Sequence, residues 1–478
     1  DDVWLRDLAS EVTGSEYLPS ADGHDVAVDD VVHDSRNAGP GSLFCCIPGV
    51  TTDGHDHAPD AVARGAVALV VDRILDLDVP QIRVADARVA MAEASAACFG
   101  HPDRTLAVIG VTGTNGKTTT TWMLNNVFEE AGRRVEVLGT LSGERTTPES
   151  PDLQRRLGRW RDDGVEVVAM EVSSHAIALH RVDAMRFRVA VFTNLSRDHL
   201  DFHGSMEEYF AVKAELFEPT RCEQAVVNLD SPHGRLLVDV SAVPIDGFSL
   251  DEAVDLRLSV DGSSFTWRGH PVSLSIGGAF NVSNALAAAH AASAVGLDDA
   301  TIAAGLSRPI VVEGRFERVE AGQPCTVIVD FAHTPDGLEQ LLLAAGDLVT
   351  DDGRVIVVFG CGGDRDASKR PAMGEVAVRR ADVAVVTADN SRSESTDAII
   401  SAIRAGIDRT VGRRASEVVI EPDRRRAIST ALGLARSGDI VLIAGKGHET
   451  TQISGDEVSP FDDRVVVAEE WRRLEEAT

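Results

Sequence analysis

The segment Gly110-Val-Thr-Gly-Thr-Asn-Gly-Lys-Thr-Thr-Thr120 leaves few folds open to the chain that contains it. It closes an apolar run beginning at residue 105, of the kind that forms a buried strand, and stands where a helix is expected to begin. A glycine-rich turn between strand and helix gathers backbone N–H groups and the partial positive charge of a helix N-terminus on one spot, a ready cradle for a polyphosphate. In that cradle Lys117 reaches the outer phosphates and the Thr118 hydroxyl can hold magnesium. The spacing is not the regular one for such loops, because Val111 stands six positions before Lys117 and the nearer glycines are Gly110 and Gly113. A strand–loop–helix unit of this type belongs to a parallel sheet covered by helices on both faces.

The flanking sequence agrees with that architecture. Strand-type runs at 165–172, 189–193 and 224–227 alternate with helical ones up to about residue 309. From about Gly314 the alternation resumes, with strands expected at 326–330, 354–360, 383–387 and 440–444, which predicts a second doubly wound unit. The first hundred residues mix short β-type runs with Gly/Asp-rich loops and read as a small α/β unit. The expectation is an α/β protein of three domains: residues 1–98, a phosphate-loop domain over 99–312, and a Rossmann-like domain over 313–478. A chain of 478 residues, 44% hydrophobic, is too long for one core and apolar enough for two or three.

Charge narrows the partners. A net charge of −30 opposes attraction to phosphate backbones or anionic lipid, so neither nucleic acid nor a membrane is expected as the main partner. No apolar run approaches the roughly 20 residues that cross a bilayer. No signal-type segment is recognised at the start, and six scattered cysteines without a CxxC pair fit a reducing cytoplasm. Only four of the 46 basic residues are lysine: Lys117, Lys213, Lys369 and Lys446. Arginine stays protonated and presents a planar fork, whereas an amine is a compact charge that can deprotonate and react, so surviving lysines are candidates for chemistry.

Two further segments leave strand ends. Glu171, in Met170-Glu-Val-Ser-Ser-His175, falls at the carboxyl edge of a strand, where it either coordinates magnesium or serves as an N-cap or ion-pair partner. The segment 192–204 gathers Asn194, Asp198, His199, Asp201 and His203, which read equally as metal ligands or as a solvated loop.

Together these segments resemble the Mur ligase family, and closely its UDP-N-acetylmuramoyl-tripeptide synthetase branch. The resemblance runs nearly end to end. It takes in Asp34-Ser-Arg36, the phosphate loop, Thr146-Thr-Pro148, Glu171-Val-Ser-Ser-His175, Thr193-Asn-Leu-Ser-Arg-Asp-His-Leu-Asp201 and Phe280-Asn-Val-Ser-Asn284. It continues through Gly314-Arg-Phe316, Asp330-Phe-Ala-His-Thr-Pro-Asp336, Gly360-Cys-Gly-Gly-Asp-Arg-Asp366, Asp389-Asn-Ser-Arg392 and Gly445-Lys-Gly-His-Glu449. The family implies ATP and magnesium as cofactors. Gly113, Thr114, Asn115, Gly116, Lys117, Thr118 and Thr119 would bind the ATP phosphates, with Asn281 and Asn284 at the adenine. Arg315, Asp330 and His333 would close over the nucleotide. Thr118, Glu171 and His199 would serve magnesium, together with Lys213 carried as a carbamate. Ser35 and Arg36 would hold the uridine nucleotide, and Thr146, Thr147, Ser173 and Arg181 the muramyl peptide. Arg365, Asp389, Asn390, Arg392, Gly445 and Glu449 would receive the incoming amino acid.

The activity so implied is phosphorylation of the D-glutamate side-chain carboxylate of UDP-N-acetylmuramoyl-L-alanyl-D-glutamate, then attack on the acyl phosphate by an amine, with a monomer expected. An arginine at 392 suits the far carboxylate of meso-diaminopimelate better than the ammonium of L-lysine, the alternative amino acid. The rival branches are the D-glutamate-adding and dipeptide-adding Mur ligases and the folylpolyglutamate synthetases, against which stand the Glu-Val-Ser-Ser-His and Asp-Asn-x-Arg segments. This chain departs from the family pattern at Leu179, where some members place glutamine, at Phe331, where tyrosine is usual, and at Ser391, where proline is usual.

Overall fold

Apolar residues that alternate along a strand send side chains to opposite faces, and the central sheet buries both. The computed structural model describes residues 3–49, 52–143 and 145–477. Its central sheet has six parallel strands in the spatial order Ile245–Phe248, Ala225–Asn228, Val189–Phe192, Ala107–Thr112, Val167–Glu171 and Val135–Leu138. Ile109, Val111, Val189 and Val191 face one apolar cluster, under the helices Lys117–Glu130 and Ala279–Ala294. Val108, Val168, Ala190 and Phe192 face the other, with Leu153 and Leu157 of the helix Ser150–Asp162. The chain runs outward from Ala107–Thr112 to one edge, returns, and then builds the other side. The phosphate loop therefore leaves the sheet beside the point where strand order reverses, the place at which open α/β sheets bind ligands.

Two more α/β units flank this one. The first has a five-stranded sheet ordered Glu16–Leu18, Gln81–Arg83, Ala68–Val71, Ser42–Cys45, Asp30–Val32, antiparallel only at its first pair. The last has six strands ordered Glu317–Val319, Thr326–Asp330, Ile440–Ala444, Val355–Phe359, Val383–Val386, Glu417–Ile420, again antiparallel only at the first pair. Helices cover both of its faces, so the second doubly wound unit is present as expected. A fully buried ion pair ties the last unit together: Arg424 forks onto Asp463 at 2.8 and 2.7 Å and also donates to the carbonyls of Ala388 and Ala444 at two strand ends.

One element departs from the expected alternation. Val254–Ser259, Gly262–Trp267 and His270–Leu274 form a three-stranded antiparallel sheet. The two-residue turn Arg268-Gly269 has positive φ at both positions, 45° and 85°, the hairpin geometry whose twist matches the strands. All six cysteines are free thiols, as expected of their scatter. Among the described residues no helix is long and apolar enough to cross a membrane.

Candidate active site

The loop between the strand Ala107–Thr112 and the helix Lys117–Glu130 is clamped from the next strand's end. Thr114 N donates to the Asn194 carbonyl at 3.0 Å, Asn115 N to Asn194 Oδ1 at 2.9 Å, and Thr193 Oγ1 to the Asn115 carbonyl at 2.6 Å. Gly113 and Gly116 have φ of 149° and 88°. A Cβ would lie 1.9 Å from Thr193 Oγ1 at the first and 2.3 Å from Asn284 Oδ1 at the second, so only glycine suits either place. Lys117 folds back, its ammonium donating to the carbonyls of Gly113 and Thr114 at 2.9 Å each. Burial lowers its pKa.

Beside the loop, Glu171 is almost wholly buried and accepts from Thr118 Oγ1 at 3.0 Å, from Thr140 N at 2.9 Å and from Thr140 Oγ1 at 3.2 Å. Among the described residues it caps no helix and no ion pair engages it. Of the two histidines left open by sequence, His203 is packed away from the cavity, with Nε2 2.8 Å from Ser174 Oγ and its ring stacked on Tyr209. His199 lines the cavity, edge-on to His175 at 4.8 Å between centroids. Burial in this recess pulls its pKa down to about 3, against the pull of Asp198 3.2 Å away, and leaves a neutral imidazole able to act as a ligand.

These groups form one wall of a cavity of about 1050 Å³. A second wall carries Thr146, Thr147, Ser173 and Arg181. Thr147 Oγ1 donates to the Glu171 carbonyl at 2.9 Å and accepts from Ser173 N at 3.1 Å, while Arg181 pairs with Glu149 at 2.8 Å and donates to the Thr147 carbonyl at 3.0 Å. The third wall comes from the last unit. Asp330 Oδ2 and Oδ1 accept from Phe316 N and Ala332 N, both at 2.7 Å, and burial raises its pKa. The guanidinium of Arg315 lies 4.4 Å over the Phe331 ring, a stacking role for which the tyrosine hydroxyl is not needed. Asn390 is held at three points: Oδ1 accepts from Lys446 Nζ at 2.9 Å and Ile453 N at 3.0 Å, and Nδ2 donates to Glu449 at 2.7 Å. At Gly445, φ is 115° and a Cβ would stand 2.6 Å from Asp389 Oδ2.

Most residues expected from sequence line this cavity, including Thr114 to Thr119, Asn284, His333, Arg365, Asp389 and Arg392. Lys213, Gly113 and Asn281 stand one layer behind. Lys213 is 1% exposed and donates to Thr112 Oγ1 at 3.2 Å and the Gly113 carbonyl at 3.1 Å, while Asn281 Oδ1 accepts from Asn284 Nδ2 at 3.1 Å. Burial, then the charge of Lys117, pushes the Lys213 amine well below its ordinary pKa. Ser35 and Arg36 are outside the cavity lining, in a short turn where Arg36 forks onto Asp34 and holds that carboxyl down to about 2. Leu179 is likewise not on the cavity wall.

Some lining residues were not singled out by sequence. Thr140 gave no local signal, and Asp336, which accepts from Asn115 Nδ2 at 3.2 Å, stood in the segment 330–336 without a role. Lys369 did, as one of the four lysines, but without a role. The missing proline at 391 is offset by the strand Thr451–Ser454: Arg392 N donates to the Ile453 carbonyl at 3.2 Å and Gly455 N to the Arg392 carbonyl at 2.6 Å, holding Arg392 at φ 50°.

Three family models match the chain in order: "Mur ligase family, catalytic domain" at residues 27–103, "Mur ligase middle domain" at 111–292, and "Mur ligase, glutamate ligase domain" at 314–447. Among curated relatives, a UDP-N-acetylmuramoyl-L-alanyl-D-glutamate--2,6-diaminopimelate ligase of Geobacillus kaustophilus is 47% identical, covering 91% of this chain and 92% of that one. Its namesake in Streptomyces avermitilis is 42% identical over 93% and 92%. A solved structure of a ligase with that same name superposes with a TM-score of 0.65 at 31% identity, over 94% of this chain and 96% of the other. The MurF ligase of Thermotoga maritima, solved in complex with ADP, shares the fold at a TM-score of 0.66 and 20% identity, over 94% and 99%. With all three segments matched in order and relatives this similar over nearly the whole length, the chain belongs to the Mur ligase family.

Proposed function

We propose that this protein joins meso-diaminopimelate to the D-glutamyl side-chain carboxylate of UDP-N-acetylmuramoyl-L-alanyl-D-glutamate, converting ATP to ADP and phosphate, as a monomer in the cytoplasm. The observation that carries this reading is the convergence in one cavity of the phosphate loop, the Thr146–Arg181 wall and the Asp389–Glu449 wall. Residues 1–98 take the uridine nucleotide through Ser35 and Arg36, 99–312 take ATP, and 313–478 take the amino acid.

The carboxylate oxygen attacks the γ-phosphorus and ADP departs. The diaminopimelate amine then attacks the acyl carbon and phosphate departs. No side chain needs to act as nucleophile, so catalysis is alignment and charge neutralisation by Lys117 and the helix N-terminus. Thr118, Glu171 and His199 fit magnesium: a hydroxyl, a buried carboxylate and a neutral imidazole flank the phosphate loop. Among the described residues no group of three or more His, Cys, Asp or Glu is arranged to hold a metal, so Thr118, Glu171 and His199 are the residues that would hold the ion. When bound, magnesium supplies positive charge to the phosphates. A neutral Lys213 amine is the form that captures carbon dioxide, and the resulting carbamate adds an anion behind Gly113.

Arg365 and Arg392 together with Asp389 and Glu449 give this wall both signs of charge, matching a substrate with two ammonium and two carboxylate groups. Mass spectrometry of the product formed with diaminopimelate and lysine offered together tests the reading. Diaminopimelate should prevail by about tenfold or more. Equal incorporation of lysine would overturn the amino-acid assignment, and no amide product with either would overturn the ligase reading.

A further inference from the structure

Of the four lysines, Lys117 and Lys213 have places in the proposed chemistry and Lys446 is bonded to Asn390. Lys369 has neither. It ends the short turn Ala367–Lys369, which Asp366 caps by accepting from Ser368 N at 2.8 Å, just before the helix Arg370–Arg380. It is only 7% exposed, yet it lines the cavity. Among the described residues, no hydrogen bond or ion pair engages its ammonium. A buried cation without an anion is costly, and such a group is retained where an anion arrives to meet it.

Its position indicates which anion. Arg197 Nη2 donates to Ser368 Oγ at 2.7 Å, which docks the turn onto the same loop that presents Asp198 and His199. Lys369, the next residue after Ser368, therefore lines the cavity beside the loop of Asp198 and His199, although it belongs to the unit that carries the Asp389–Glu449 wall.

We propose that Lys369 is a catalytic residue that binds a phosphoryl oxygen of the acyl phosphate and of the phosphate that leaves it, opposite Lys117. This rests on the ligase reading. When the carboxylate oxygen bonds to the γ-phosphorus, the bridging P–O bond breaks toward ADP. When the amine bonds to the acyl carbon, the C–O bond to the phosphoryl breaks, inorganic phosphate takes the electron pair, and the nitrogen releases its surplus proton to water. Lys369 neither gives nor takes a proton in these steps. It offsets charge on the phosphoryl oxygens, a task that suits a compact ammonium in a chain that otherwise uses arginine.

The test is steady-state kinetics of the full chain carrying Lys369→Ala or Lys369→Met, with UDP-muramyl dipeptide, ATP and diaminopimelate. Turnover should fall about 10²-fold or more while KM for ATP and for diaminopimelate stays within about threefold. Ethylamine should restore part of the turnover of Lys369→Ala, with the product identified by mass, and the melting temperature should not fall because no bond is lost. Turnover within about threefold of the unaltered protein, a loss expressed in the diaminopimelate KM, a lowered melting temperature, or a loss that ethylamine leaves unrestored would each overturn the assignment. An unaltered protein that forms no amide product overturns the ligase reading instead.

Discussion

Lys117 and Lys213 point their amines at one oxygen, the Gly113 carbonyl, at 2.9 and 3.1 Å. Two ammonium groups on one acceptor repel, and the pair relaxes if one gives up its proton. Lys213 is the better placed to do so, because it is the more deeply enclosed and its pKa is driven well down by burial and by Lys117 itself. If Lys213 carries the proposed carbamate, Lys213→Ala should lose most ligase activity and regain part of it with added acetate, which replaces that charge. Activity indifferent to removal of carbon dioxide, with a bare amine in a high-resolution map, would count against it. Lys117→Ala should abolish ligation with thermal unfolding unchanged, and Lys117→Arg should not restore it, since the guanidinium fork is larger than the point charge the loop encloses. Near-normal product from either variant would remove Lys117 from the mechanism.

At the scale of elements, the helix Ala279–Ala294 carries Asn281 and Asn284 at its start and is fixed further along by His290. That ring is buried, with Nδ1 2.9 Å from Asp246 Oδ2 and Nε2 2.9 Å from Glu252 Oε2. Both nitrogens must donate, so the bonded form is the imidazolium. Burial alone would lower its pKa, but the two carboxylates raise it, and Asp246 is lowered in turn. A raised folded value means that the tie is complete below the ordinary histidine pKa and is lost as pH rises through the folded value. A lowered Asp246 means that its share persists above the ordinary aspartate pKa and fades in acid. The tie is therefore strongest between about pH 4 and 6.5. Relative to His290→Gln, the unaltered protein should be more stable by about 1–3 kcal/mol at pH 6, and the gap should narrow toward pH 9. Melting curves giving the same gap at both pH values would refute the imidazolium.

Across the whole molecule, polar bridges join the last unit to the central one at the cavity rim: Asn115 to Asp336 and Arg197 to Ser368, with His333 3.9 Å from Asp198. An acyl phosphate must be kept from water, so these bridges bear on the fidelity of the reaction as well as its rate. Arg197→Ala should lower kcat/KM about three- to tenfold and, more tellingly, release ADP in excess of amide product as the intermediate hydrolyses. Stoichiometric ADP and product in that variant would show that the bridge does not guard the intermediate.

Local order along the chain was enough for the phosphate loop, the two doubly wound units and most of the cavity wall, because strand and helix periods and the glycines at 113 and 116 are properties of neighbouring residues. The antiparallel sheet over 254–274 was not legible, since the strand Val254–Ser259 is largely exposed and lacks the buried apolar run that marks the others. The hydrogen-bond partners of Glu171, Thr118 and Thr140, stand 53 and 31 positions away, and which of the rings of His199 and His203 faces the cavity was decided by the fold. Likewise the scarcity of lysine marked Lys369, but its place beside the loop of Asp198 and His199 rests on a bond between Arg197 and Ser368, 171 positions apart. Residue types and short spacings thus determined which chemistry the chain carries. Which groups meet, and which stay unpaired to receive a ligand, was decided only by long-range packing, because burial and the charges of distant neighbours act through space rather than along the chain.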